Sequence, residues 1–333
     1  TLDLGNYYDP FYDYSSTLDY AFDSGYKATN MSLFGQYNNE INSDTQISAG
    51  LRIERRSTEY RDTEDLTADP SESLWGGEIG IVHDFTDSVA TFVSLSKGYK
   101  ASGFNLGVVP DNIRFYGNEA LWMVEIGIKA AFLNQSLFLN TSVFHQWRVD
   151  QQVRTSFQLT PGDPTTFDFA TLNVDESRML GVEAELSWAL HRDWELYVNL
   201  GLLDGTFKKV PPDMGIDSLL GREQAHAPAY TLAGGIAYRS ESGMFARVDV
   251  TAKDEFYFSA SHDQKSNSYG LVNTRIGYEN ENWLVSLWGR NLFDREYAVR
   301  GFFFGNEPPD FPNTLYTRFG DPRQFGLTIE MKF

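Results

Sequence analysis

The chain has 333 residues, with 27 Lys+Arg against 46 Asp+Glu, for a formal charge of −19. That balance excludes the clustered cations a nucleic-acid footprint needs, and an aromatic content of 15% excludes a disordered acidic chain. Cysteine is absent, which excludes disulfide scaffolds, Cys-ligated metal and thiol catalysis.

The chain begins Thr1-Leu2-Asp3, with no initiating Met and no signal peptide, which predicts a processed product or a fragment. No apolar run approaches the ~18 residues of a membrane-spanning helix. A transmembrane β-barrel passes under that test, because lipid-facing and lumen-facing residues alternate along each strand. Alternation is what the chain shows. Ile47, Ala49, Leu51 and Ile53 oppose Ser48, Gly50, Arg52 and Glu54. Trp122, Val124, Ile126, Ile128, Ala130 and Phe132 oppose Glu125, Gly127 and Lys129. Leu180, Val182, Ala184, Leu186, Trp188 and Leu190 oppose Gly181, Glu183, Glu185 and Ser187. Trp194, Leu196, Val198, Leu200 and Leu202 follow, and Phe325, Leu327, Ile329, Met331 and Phe333 end the chain. A period of two is a strand signal; a helix repeats near 3.6.

The connections alternate in length. Short polar turns fall at Asn39–Asp44, Thr86–Asp87, Leu133–Gln135, His191–Asp193, Ser240–Gly243 and Asn280–Asn282. Longer Gly/Pro/Asp-rich loops fall at Asp62–Ser73, Lys100–Asn118, Ser156–Thr165, Lys209–Ala227 and Gly301–Pro322. Short turns on one rim and long loops on the other are the layout of an outer-membrane barrel. The pattern predicts an all-β fold, an antiparallel transmembrane β-barrel sheet of about 13 strands. A soluble sandwich or propeller would use strands of ~5–6 residues and, for a propeller, a repeat; these strands are longer and no repeat is present. Trp122, Val124, Ile126, Ile128, Leu186, Trp188, Leu196, Val198, Leu327, Ile329 and Phe333 are expected to face lipid. Arg52, Glu125, Lys129, Glu183, Glu185 and Glu330 are expected to face the lumen.

Little in the chain suggests catalysis. His83, His145, His191, His226 and His262 are scattered, with no short metal-ligand spacing. Gly76-Gly77 and Gly234-Gly235 lie in strands and serve barrel curvature rather than phosphate binding. Asp62, Glu64, Asp65, Asp69 and Glu72 would suit calcium by chemistry, but their spacing is not that of an EF-hand, and a solvated loop is expected. Glu183 and Glu185 share one strand face, where water and neighbouring cations are the expected partners rather than acid–base work. No enzyme is expected, and no cofactor or metal held by the chain itself.

Three stretches carry a resemblance. SKGYKASGFN (Ser96 to Asn105) follows a strand; Asn291-Leu292-Phe293-Asp294 with Tyr297 precedes the last long loop; Gly320-Asp321-Pro322-Arg323 leads into the final strand. With weaker echoes at Ser32–Tyr37, Ala49–Glu54, Gly181–Trp188 and His226–Arg239, they resemble the C-terminal barrel part of TonB-dependent outer-membrane receptors of the ferric-siderophore type. The resemblance implies a 22-stranded barrel with an N-terminal plug, and this chain resembles its C-terminal strands with the plug absent. It implies residues 1–26 as an external loop region and 27–333 as barrel strands and loops. It implies outer-membrane localisation and active uptake of a scarce, bulky ligand through TonB and its inner-membrane motor complex. Ferric siderophores are the commonest ligands of the family, so the ligand would be an iron chelate; haem, cobalamin and oligosaccharides are alternatives, and a passive porin is an alternative of another class. The implied partners are the remaining strands and plug, outer-membrane lipid and lipopolysaccharide, and no nucleic acid.

The ligand site is expected at the external mouth. Tyr7, Tyr8, Phe11, Tyr12, Tyr14, Phe104, Phe115, Tyr116, Phe302, Phe303 and Phe304 offer rigid aromatic surface, and Arg114 and Arg222 offer grips for an anion. Each aromatic has a bland alternative, packing loop against loop. The terminal Phe333 is expected to act as an assembly signal, an inference from the family resemblance.

Overall fold

The computed structural model describes residues 23–63, 65–106, 109–158, 166–212, 214–305, 307 and 309–331. Tyr7, Tyr8, Phe11, Tyr12, Tyr14 and Phe333 lie outside them. One antiparallel meander dominates. Its strands, in spatial order, are β1 (Ser24–Asn42), β2 (Thr45–Asp62), β4 (Ser71–Thr86), β5 (Val89–Lys100), β8 (Glu119–Phe132), β9 (Leu137–Gln158), β10 (Phe167–His191), β11 (Trp194–Lys209), β12 (Tyr230–Arg239), β13 (Met244–Lys253), β14 (Tyr269–Glu279), β15 (Trp283–Arg290) and β18 (Gln324–Met331). The two-residue β3 (Thr67–Ala68) adds to β2. Two hairpins stand off the main sheet, both in segments whose composition reads as loop. One is β6 (Gly103–Phe104) with β7 (Phe115–Tyr116); the other is β16 (Ala298–Gly305) with β17 (Asn313–Phe319). β1 and β18 pair on one side only among the described residues.

The alternation in sequence becomes two faces in register. Ile126 stands opposite Val143 and Val93, Leu186 opposite Leu139 and Val198, Trp188 opposite Leu196, and Leu327 opposite Leu287. On the other face Glu125 meets Ser94, Lys129 meets Asn140, Glu183 meets Ser142, and Glu185 meets Asn140 and Asn199. Side chains on this polar face reach across an intervening strand, as suits a concave surface. Tyr197 on β11 donates to Asp249 on β13 at 2.6 Å, passing over Gly235 on β12. A Cβ on Gly235 would overlap the Tyr197 ring and Asp249, so glycine is needed there for close approach.

The short turns join strand ends at one rim. The opposite ends of β9 (22 residues) and β10 (25 residues) outrun a membrane crossing of ~9–11 residues. The buried core sits at that far end. Val153, Ala170, Leu172, Val174 and Phe207 on the strands cover Val109 and Ile113 from one loop and Ile216 and Leu219 from another. Leucines and valines that would be idle in a solvated loop thus fasten the external loops to the sheet wall, and the long connections gain fixed positions.

Candidate functional site

The loops converge on a cavity of about 860 Å³ at the external end. Gln151 to Arg154 of β9, Phe169 of β10 and Phe207 of β11 form one side. Gln224 to His226, Phe258 to His262, and Arg300 to Gly305 of β16 form the rest. Among the described residues, the lining includes two arginines and two histidines and no carboxylate. In a chain of charge −19 that is a local inversion of sign. Arg154 lies over the Phe169 ring at 4.8 Å and Arg300 over Phe302 at 4.8 Å, so both exposed guanidinium groups are held against aromatic faces. His262 sits 5.8 Å from the Phe303 ring, and Phe304 packs on Tyr316 at 5.3 Å.

Both histidines are pushed toward the neutral form. Burial lowers the His226 pKa first, and the Lys253 and Arg300 charges lower it further. For His262 burial again leads, Arg222 adds to it and Asp263 opposes. His262 Nδ1 accepts the Gln264 N–H at 3.3 Å, which requires the lone pair of an unprotonated nitrogen. Beneath the cavity, Ser177 Oγ donates to Gln151 Oε1, and Gln151 Nε2 donates to Gln224 Oε1 at 3.1 Å.

The residues expected from sequence divide into two groups. Phe302, Phe303 and Phe304 line the cavity. Phe104 packs on Tyr60 at 5.0 Å, Phe115 is exposed on the β6–β7 hairpin, and burial raises the Tyr116 pKa. Arg114 donates to the carbonyls of Asn105 at 2.8 Å and Val109 at 3.2 Å, bracing its own loop. Arg222 is 8% exposed; it bonds Asp263 at 2.6 Å and the Ser259 carbonyl, and stacks on Tyr257 at 4.2 Å. These two arginines brace loops, and the cavity's own cations are Arg154 and Arg300, which no motif singled out. For Arg300 the signal available in sequence was the Phe302-Phe303-Phe304 run two residues on; Arg154, in Gln151-Gln152-Val153-Arg154, carried none.

The motif residues prove to be architecture. Asn105, 6% exposed, donates to the carbonyls of Ile113 and Thr171 and accepts the Thr171 N–H, pinning the first hairpin to β10. Asn291, 4% exposed and at φ +47°, donates to the carbonyls of Arg295 and Asp321. Asp294 accepts the Arg323 N–H at 2.9 Å, so the two C-terminal motifs close on each other. In the acidic loop Asp62 accepts from Tyr60 and the Leu66 N–H, and Glu72 accepts from Ser102; Glu64 lies outside the described residues. Among the described residues no group of three or more His, Asp or Glu side chains is placed to hold a metal.

A meander with an apolar outer face and a polar inner face has the architecture of an outer-membrane β-barrel wall. The chain belongs to the TonB-dependent receptor-like β-barrel family, whose model matches residues 1–292. Among curated proteins it is similar to the pesticin receptor of Yersinia pestis, 21% identical over 310 residues, covering 87% of this chain and 43% of that protein. Among solved structures it is similar to the ferric yersiniabactin uptake receptor FyuA of Yersinia pestis, with TM-score 0.75, 17% identity and 94% of this chain against 47% of that one. The siderophore receptor PiuA of Acinetobacter baumannii gives TM-score 0.72, 20% identity and coverage of 92% and 43%. The chain therefore spans somewhat less than half the length of these relatives. Family membership places it in the outer membrane, among receptors rather than enzymes.

Proposed function

We propose that the chain is the C-terminal barrel part of an active-transport receptor that captures an anionic iron chelate, a ferric siderophore, and imports it with energy supplied through TonB and its inner-membrane motor complex. The observation that carries this reading is the mouth cavity, with Arg154 and Arg300 on aromatic supports and no carboxylate among the described residues of its wall. Guanidinium groups suit the carboxylates and catecholates of a chelate, and Phe302, Phe303 and Phe304 suit its flat organic parts. The similar proteins named for siderophores support the same ligand class. The cations favour it over a neutral saccharide or cobalamin. β1 and β18 have no second partner among the described residues, and edges left open would be intolerable in lipid, so this reading assigns the remaining strands and the plug to a further segment that completes the barrel.

The test uses the full-length receptor with ferric citrate and a ferric tris-catecholate as anionic probes, and cobalamin and a neutral maltooligosaccharide as controls. A charge-assisted contact contributes about 1.5–3 kcal/mol. The double variant Arg154→Gln, Arg300→Gln should therefore lose about tenfold or more in affinity for the anionic probe it binds, with a smaller loss at high salt. Binding of a neutral probe alone, or equal affinity in the variant at low salt, would overturn the reading. Uptake that persists in cells lacking TonB would overturn active transport.

A further inference from the structure

The β16–β17 hairpin carries a charge arrangement that paired strands ordinarily avoid. Its strands, Ala298–Gly305 and Asn313–Phe319, hold two cations, Arg300 and Arg318, and no Asp or Glu. The two arginines stand directly opposite each other in register. Residues so paired in an antiparallel ladder share a face, with Cβ atoms about 4.5–5.5 Å apart, and like charges there are destabilising. An irregularity in the ladder sets up this pairing. At the base of the hairpin Ala298 faces Phe319. Continued without a break, that register would set Val299 against Arg318 and Arg300 against Thr317, with the two guanidinium groups on opposite faces. One extra residue on β16, Val299, shifts the ladder so that Arg300 meets Arg318. A bulge of this kind re-aims side chains, and bulges are over-represented beside functional sites.

Among the described residues no carboxylate neutralises the pair. Arg300 and Arg318 are both exposed, and neither forms an ion pair there. Glu307, in the connection between the strands, accepts from Tyr316 at 3.1 Å, and Asp294, before the hairpin, holds Arg323 at 3.8 Å. The next rung on the same face is Phe302 opposite Tyr316, and Arg300 lies over the Phe302 ring at 4.8 Å. One guanidinium is thus held in place before any ligand arrives, which lowers the ordering cost of binding. Arg300 lines the mouth cavity and Arg318 does not, so the pair stands at the cavity's edge.

We propose that Arg300 and Arg318 form a two-arginine clamp for one free carboxylate. A carboxylate is planar and presents two oxygens, which suits the N–H forks of guanidinium groups. One bound carboxylate turns a repulsive pair into two attractive contacts, and the Phe302–Tyr316 rung beside it suits a flat organic part. The oxygens must be free. A catecholate or hydroxamate commits its oxygens to the iron, whereas a carboxylate outside the coordination sphere keeps both. The clamp stands on the hairpin alone. Taken with the import reading above, on which this further step rests, it narrows the cargo to a chelate with a pendant carboxylate.

The experiment is hydrogen exchange over residues 298–305 and 313–319 of the full-length receptor in mild detergent at low ionic strength. Succinate and inorganic phosphate, both dianions at about pH 8, are titrated separately, with glycerol as a neutral control. Wild-type protection should rise with succinate, about tenfold at about ten times its dissociation constant, if exchange proceeds by local opening. Arg318→Gln should protect the hairpin more than wild type without any added anion, because it removes the like-charge pair, and its affinity for succinate should fall about tenfold or more. Arg318→Lys should recover only part of that affinity, since it lacks the fork. No response of wild type to succinate, an equal or tighter response to phosphate, a hairpin less protected in Arg318→Gln than in wild type, or unchanged affinity in that variant would each overturn the clamp. The cargo is read separately, as binding of ferric citrate against a ferric tris-catecholate. Ferric citrate should bind wild type more tightly, and Arg318→Gln should remove the difference. A preference for the catecholate would overturn the pendant carboxylate and leave the import reading in place. Binding of neither chelate by a receptor that responds to succinate would overturn the import reading and leave the clamp.

Discussion

Replacing Asn105 removes three hydrogen bonds at the base of the first external hairpin. Its Nδ2 donates to the Ile113 carbonyl at 2.7 Å and the Thr171 carbonyl at 2.9 Å, and its Oδ1 accepts the Thr171 N–H at 2.7 Å. The side chain is buried, so water does not take its place. At about 0.5–1.5 kcal/mol net per bond, Asn105→Ala should cost the loop about 2–4 kcal/mol of local stability. Asn105→Asp should rank worse. It keeps one acceptor for Thr171, loses both donors and sets a carboxylate against two carbonyl oxygens. The assay is hydrogen exchange in the full receptor, read over residues 101–118 and around Thr171. Protection there should fall about 30- to 900-fold in the alanine variant if opening is local, while the strands near the short turns keep theirs. Unchanged protection, or an aspartate variant milder than alanine, would refute the bracing role.

Ile126→Arg puts a cation on the outward apolar face and should cost up to about 2–4 kcal/mol in urea unfolding from vesicles, as expected near the bilayer midplane, whereas Glu183→Gln on the polar face should cost well under 1. The pKa of His262 is held below its ordinary 6.5 by burial and Arg222, with Asp263 opposing, so its stabilising share is complete above about pH 6.5 and is lost as pH falls through the folded value. Protection factors over residues 254–268, taken against the intrinsic exchange rate at each pH, should therefore fall on acidification from about pH 7 to 5, and His262→Gln together with His226→Gln should flatten that profile, since His226 shifts the same way. Deleting Phe333 should lower the yield of folded receptor in the membrane; an unchanged yield would leave that residue a girdle aromatic.

The strands and their faces were legible because each side chain's side is set by a local rule of period two, and one face meets lipid. Glu183 and Leu186 needed no tertiary information to be assigned to opposite faces. The loops were legible only as composition. Gly301 to Pro322 reads as loop by its prolines and glycines, yet most of it is the β16–β17 hairpin, held because Gly301 lies beneath Phe258 and Phe304 packs on Tyr316. Arg114 and Arg222 stand in Gly/Pro/Asp-rich segments where a free guanidinium is the natural expectation. Their carbonyl and carboxylate partners come from residues up to 41 positions away, a pairing that no local pattern encodes. Arg154 and Arg300 went unmarked for the same reason: what sets them apart is a shared cavity, not a sequence neighbour.

The placement of charge gives the chain a consistent electrostatic logic. A net charge of −19 repels anions at long range, but beyond about 8 Å that repulsion is screened at physiological salt. Inside that distance the local residues decide. At the mouth the described lining residues include two arginines and two histidines and no carboxylate, and two of the four acids adjacent to them in sequence are paired with cations, Asp263 with Arg222 and Glu223 with Lys265. An anion that diffuses within a Debye length therefore meets an attractive patch, and one that remains outside meets none. Selectivity by this route belongs to the cavity wall and not to the whole protein. Exchanging surface acids elsewhere on the chain should leave it intact, while one carboxylate introduced beside Arg154 or Arg300 should cancel it.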